Sequence, residues 1–190
     1  MKLQHYFFIA IVALFSSQAN AQETISGVNV PSQFTNQQDQ SLELNGAGVR
    51  EKFWIDLYVA SMYVETKGLE AEQYYNSDSS IIMNLNIISD MITSDKMFSA
   101  IEEGFENSAK NPSTELQSKM TQMTKLFKAD PIKKGDSFRF SYIDGKGTYI
   151  FKNDKELSLI PGKDFKSALF GIWLCNKPAD KNLKKDLLKG

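Results

Sequence analysis

The twelve residues from Phe53 to Val64 read FWIDLYVASMYV, rich in aromatic and β-branched side chains at both odd and even positions. Successive side chains of a β-strand point to opposite faces, so a strand apolar on both parities is central and covered on both sides. This segment therefore demands a sheet with packed material above and below it.

The neighbouring segments supply the rest of such a sheet. Ile25 to Pro31 alternates weakly and stops at proline, as an edge strand does, and Ser32 to Gln40 reads as a polar loop. Leu42-Glu43-Leu44 opens a strand that Asn45-Gly46-Ala47-Gly48 is expected to interrupt. Ile81 to Ile87 alternates cleanly, with Ile81, Met83, Leu85 and Ile87 on one face. Gly135 to Phe151 reads as a hairpin turning at Asp144-Gly145-Lys146-Gly147, and Leu157 to Ile160 as a short strand.

Helical spacing appears elsewhere. Phe98, Ile101, Phe105 and Ala109 recur after an N-cap at Thr93 or Ser94. Asn111-Pro112 is expected to start a second helix, striped by Leu116, Met120, Met123 and Phe127. Phe165, Ala168, Leu169, Ile172 and Trp173 mark a third, and Leu183, Leu187 and Leu188 a short fourth with a lysine-rich outer face. Strands, two helices, strands and two helices fit an α+β fold, one antiparallel sheet covered by a helical layer.

Residues 1–21 read as a signal peptide: Lys2, an apolar run from Phe7 to Phe15, and an Ala19-Asn20-Ala21 cleavage site. Cleavage leaves 190 − 21 = 169 residues, a single domain over 22–190, with a periplasmic or secreted location expected. His5, the sole histidine, leaves with the signal, so imidazole-based triads and zinc sites are excluded. The single cysteine, Cys175, excludes an intramolecular disulfide and reads as either a small buried hydrophobe or an exposed thiol. The near-neutral charge carries no nucleic-acid footprint. After the signal no apolar run is long enough to cross a bilayer and no cysteine follows the cleavage site, so no stable membrane anchor is expected. No metal site, cofactor or oligomeric state is indicated.

Candidate chemistry centres on arginine. The mature chain holds 19 lysines but only Arg50 and Arg139. If the strand runs unbroken from Arg50, then Trp54, Tyr58 and Met62 share its face by the period of two. A guanidinium at the mouth of an apolar slot suits a carboxylate or phenolate, and a tyrosine adds a hydroxyl donor. The alternative is a structural bridge from Arg50 to Asp56, on the same parity. Arg139 alternates with Phe138 and Phe140 and reads as facing away from them on a solvated strand face. Glu102, Glu103 and Glu106 read as a charged helix face.

Leu44-Asn45-Gly46-Ala47-Gly48-Val49-Arg50, Leu57 to Glu65, Gly162 to Phe165, Ala168 to Leu174 and Lys177 to Lys181 together resemble the chalcone isomerase-like family, most of all its bacterial exported branch. The resemblance implies an open-faced β-sandwich, a large antiparallel sheet backed by helices with an apolar cleft between them. Plant members cyclise chalcones to flavanones, while related non-catalytic members bind fatty acids through an arginine and a tyrosine. Arg50 falls on the family arginine. Plant enzymes carry threonine at the place of Tyr58, and tyrosine, lysine and asparagine at about those of Met97, Ala100 and Gly104. None of these is kept here.

The expected function is thus an exported, non-catalytic binder of a fatty acid or other small amphipathic carboxylate. Arg50 is the anchor, Tyr58 or Tyr63 the hydroxyl donor, and Trp54 and Met62 apolar walls. The alternative is an intramolecular lyase or isomerase acting on a phenolic ligand, with Arg50 as its catalytic cation.

Overall fold

A computed structural model describes residues 22–190, and the expected signal peptide lies outside the described residues. The chain begins with strands β1 (Gln22–Ile25), β2 (Val28–Pro31), β3 (Gln33–Thr35), β4 (Ser41–Lys52) and β5 (Ile55–Val64). Helix α1 (Ala71–Asn76) and strand β6 (Ile81–Ile87) precede helices α2 (Ser94–Ser108) and α3 (Thr114–Ala129). Strands β7 (Ser137–Ile143), β8 (Gly147–Lys152) and β9 (Lys155–Ile160) lead to helices α4 (Lys163–Leu174) and α5 (Lys181–Leu187). Strands β3 to β9 form one antiparallel sheet in sequence order, and β1 and β2 form a separate hairpin.

The doubly covered strand is β5. Its Tyr58, Ala60, Met62 and Val64 face the helices, in a core with Met83, Phe140, Phe105, Phe165 and Trp173. Its Val59 and Tyr63 face the other way, against Val30 and Leu42 with Val28 and Phe34 alongside. The small β1–β2 hairpin thus covers the outer face where β5 needs cover. Each large apolar side chain so buried contributes roughly 1.5–3 kcal/mol, which lets the fold stand without a disulfide.

Local signals explain the helices. Thr93 caps α2 by accepting from the Lys96 amide, and Ser113 caps α3 by accepting from the Leu116 amide. The second helix therefore starts three residues after Asn111, whose φ of 51° lies in the left-handed region. Helices α2 and α4 cross closely at glycines: a Cβ on Gly104 would lie 2.7 Å from Ile172 Cγ2, and one on Gly171 2.7 Å from Ser108 Cβ.

Several expectations are corrected. The segment 25–31 is a hairpin rather than one edge strand, β3 lies inside the expected loop 32–40, and α1 carries no apolar repeat long enough to read. The segment Asn45–Gly48 does not end β4 but shifts its register with β5 between Leu44 and Gly46, and its glycines have a further role. They let α5 lie against it, since a Cβ on Gly46 would meet the Asp186 carbonyl oxygen at a distance no side chain tolerates, and one on Gly48 would lie 2.6 Å from Asp186 Cβ.

The strand does not begin at Phe53. Lys52 pairs with Ile55, and Phe53 and Trp54 form a two-residue turn between β4 and β5 with φ of 53° and 61°. Aromatic residues carry no turn signal, so the turn is hidden in the sequence.

Candidate functional site

Antiparallel pairing places Arg50 of β4 opposite Tyr58 of β5, both at the end of the sheet near the Phe53–Trp54 turn. Tyr58 is buried on the helix-facing side, where its hydroxyl accepts a 3.0 Å hydrogen bond from Trp173 Nε1 on α4. The hydroxyl proton has no acceptor among the described residues, so Tyr58 retains a donor. Burial pushes its pKa up, against the opposing pull of the Trp173 N–H and the Arg50 charge.

The Arg50 partner is Asp180 rather than Asp56. Arg50 Nη1 donates to Asp180 Oδ2 at 2.9 Å, while Asp56 accepts from Ser26 Oγ. Asp180 is the N-cap of α5, and its Oδ1 accepts from the Asn182 and Leu183 amides. Burial alone would raise the Asp180 pKa, but the Leu183 amide, Arg50 and the Asn182 amide outweigh it and hold the carboxyl below its ordinary value. Nη1 also approaches the Glu51 carbonyl, and Nη2 and Nε have no hydrogen-bond partner among the described residues.

The structure thus brings together two of the five expected residues, Arg50 and Tyr58. Met62 lies on the same face, two residues beyond Ala60 and fully buried. Tyr63 lies on the opposite face, its ring 5.5 Å from that of Phe34 and its buried hydroxyl without a partner, because β5 parity separates it from Tyr58. Burial raises its pKa too. Trp54 is no wall: it stands in the turn, 91% exposed. The expectation that Arg50, Trp54, Tyr58 and Met62 share one unbroken strand fails at that turn, although cross-strand pairing restores Arg50 to the Tyr58 face.

Asp180 and Trp173 complete the site, and neither was singled out from the sequence. Asp180 ahead of Lys181-Asn182-Leu183 carries an N-cap signal, but nothing local reveals its pairing with a residue 130 positions earlier. Arg139 is likewise more than a solvated cation. It lies between the rings of Phe34 and Phe151, 5.0 and 4.3 Å from their centroids, and pairs with Asp154 at 2.7 Å. Cys175 is buried.

The layer between sheet and helices is filled by side chains, with Tyr58, Met62, Phe140 and Trp173 buried beneath Arg50. An open cavity of about 460 Å³ lies instead between β1, β4 and α5. Its charged lining, Glu23, Glu51, Asp180 and Asp186 against Lys189, disfavours an anion.

A comparison with curated protein sequences finds no match. Among solved structures, a fatty-acid binding protein of Arabidopsis thaliana superposes with a TM-score of 0.69 at 14% identity, covering 89% of this chain and 96% of that one. At that identity the likeness establishes the fold: a large antiparallel sheet with a helical layer. The chalcone isomerase-like family is matched over residues 21–189, which contain the sheet, the helices and the Arg50–Tyr58 pair. The chain belongs to the chalcone isomerase-like family.

Proposed function

We propose that this chain is an exported, non-catalytic binding protein for a fatty acid or another small amphipathic carboxylate, with Arg50 as its anchor. The observation that carries the reading is the Arg50–Tyr58 pair at the edge of an apolar interior. A guanidinium with unused donors and a tyrosine hydroxyl with an unused proton suit the two oxygens of a carboxylate, and buried Met62 and Trp173 suit an alkyl chain. Family membership and the shared fold with the Arabidopsis fatty-acid binding protein support the same reading.

Asp180 holds the place of the ligand. It is a carboxylate already seated on Nη1, so an incoming acid competes with it. The competition is adjustable because α5 is a helix of only 7 residues, held to β4 at Gly46, Gly48 and Asn45, whose side-chain amide donates to the Leu187 carbonyl at 2.7 Å. Lifting α5 would free Arg50 and open the layer beneath.

Chalcone cyclisation needs donors that stabilise developing enolate charge, and the family resemblance would place them on α2. The buried residues of α2 are Met97, Ile101, Gly104 and Phe105, and Ala100 is exposed, so α2 offers only backbone and apolar groups toward the sheet. Native mass spectrometry of the purified protein and of Arg50→Ala tests the binder. The wild type retains an acid and the variant loses it; no retained acid, or equal retention, contradicts the reading. Turnover of a chalcone above its spontaneous rate, lost in Arg50→Ala, would establish the enzyme instead.

A further inference from the structure

Exposed apolar side chains gather at one end of the sheet. Five large hydrophobic residues are exposed among the described residues, and Phe53 (77%), Trp54 (91%) and Ile55 are three of them, consecutive at the β4–β5 turn. A fourth, half-exposed Met91, follows β6. The Ile88 amide bonds the Leu57 carbonyl, so the chain leaves β6 toward the same end of the sheet.

The turn itself carries an internal contrast. The described residues hold two other two-residue turns with both residues at positive φ, Ser26-Gly27 and Asn153-Asp154. Three of those four residues, Gly27, Asn153 and Asp154, are types that tolerate the left-handed region, and the fourth, Ser26, is small. Phe53-Trp54 places two bulky aromatics there and leaves both rings largely exposed, the Lys52 ammonium 5.8 Å from the Phe53 ring being the one aromatic contact of the pair among the described residues. A backbone conformation unfavourable to these residues, with almost no packing in return, points to a role outside the fold.

We infer that the Phe53–Trp54–Ile55 tip is a peripheral membrane anchor that dips reversibly into the interface of a lipid bilayer. The tip is convex and small. Two aromatic rings offer roughly 150–250 Å² each, well below the ~800 Å² per partner of a stable protein interface. A bilayer needs no complementary shape, and aromatic residues favour its interface. The charges nearby are mixed, Lys52 and Lys96 against Glu51, Asp56 and Asp90, so the contact is driven by apolar burial and does not require anionic lipid. No described helix is long and apolar enough to cross a membrane, so the contact is superficial.

Arg50 lies three residues from the turn, about 10 Å along the strand, comparable to the ~5–10 Å depth reached by interfacial helices. An immersed tip therefore sets Arg50 near the headgroup boundary, where a fatty acid in the bilayer presents its carboxylate. That last step rests on the carboxylate-binder reading; the membrane contact does not.

The chain has two tryptophans, Trp173 buried and Trp54 exposed, so lipid contact by the tip is directly visible in emission. The test titrates the mature chain with phosphatidylcholine vesicles free of fatty acid, using Trp173→Phe to isolate Trp54. The Trp54 emission shifts to the blue and is quenched by brominated lipid. The vesicle-bound fraction in co-sedimentation falls about tenfold or more in Phe53→Asn/Trp54→Gly, whose circular dichroism stays native. Unmoved emission, or equal co-sedimentation by the double variant, overturns the inference. So does a blue shift that grows with protein concentration without lipid, which assigns the tip to a second copy of the chain. Failure here with intact retention of acid by Arg50 would leave the binder reading standing.

Discussion

Replacing Phe53 and Trp54 by Asn and Gly is expected to stabilise the protein, although it removes two large aromatic residues. The left-handed region costs an ordinary L-residue about 1–2 kcal/mol. Two such residues occupy the β4–β5 turn. Asparagine tolerates that region and glycine enters it freely, so the exchange recovers roughly 2–3 kcal/mol. Glycine gives back about 0.5–1 kcal/mol through the greater freedom of the unfolded chain.

The packing lost is small because Phe53 is 77% and Trp54 91% exposed. About 70 Å² of the two residues is covered, at most ~1.8 kcal/mol at about 25 cal/mol per Å² with the covered backbone counted in, and the Lys52 ammonium 5.8 Å from the Phe53 ring adds little at so exposed a site. The net gain is about 1 kcal/mol, or roughly 2–4 °C in Tm for a chain of this length. Urea unfolding followed by circular dichroism measures it, with the slope m unchanged. A loss of more than about 1 kcal/mol would refute the reasoning, since it would mean that the rings pack against the fold.

Three further outcomes follow from the geometry. Gly46→Ala forces a Cβ into the Asp186 carbonyl and should cost about 1–3 kcal/mol by chemical unfolding, loosening α5. Lys166 is buried and donates to the Ser77 and Ser79 carbonyls, and burial lowers its pKa to about 8 from 10.5. Between those values the unfolded chain binds a proton that the folded one does not, so stability rises with pH by at most ~1.4 kcal/mol per unit. The rise should be absent in Lys166→Met when the two proteins are unfolded in parallel across that window, and a wild-type stability that falls relative to the variant would contradict it. Trp173→Phe removes the N–H that opposes the upward shift of Tyr58, so the phenolate transition in ultraviolet absorbance should move to still higher pH.

Much of the frame is legible in the sequence because its signals are local. The 3–4 spacing of Phe98, Ile101 and Phe105 and of Phe165, Leu169 and Trp173 finds α2 and α4, and the alternation of Ile81 to Ile87 finds β6. Two-sided apolarity of the segment before Val64 correctly requires cover on both faces of β5. The β4–β5 turn is illegible because its residues contradict turn chemistry, and that error displaces Trp54 from the expected site. The Gly46–Gly48 pair reads as a break because the demand for a close approach comes from α5, far along the chain. Of the site, Arg50 stands out by rarity, whereas Tyr58 meets it through cross-strand pairing that an unbroken strand does not contain. Their partners Asp180 and Trp173 are fixed only when the C-terminal helices fold back across the sheet edge.

In the proposed function Arg50 holds a carboxylate in competition with Asp180. Isothermal titration of palmitate into the wild type, Arg50→Ala and Asp180→Asn tests it most directly. Asparagine remains a good N-cap, so Asp180→Asn should keep α5 while freeing Nη1. The expected order of affinity is Asp180→Asn tightest, the wild type next and Arg50→Ala weakest. The opposite ranking, or three equal affinities, would show that the pair is a structural bridge and that any acid binds elsewhere.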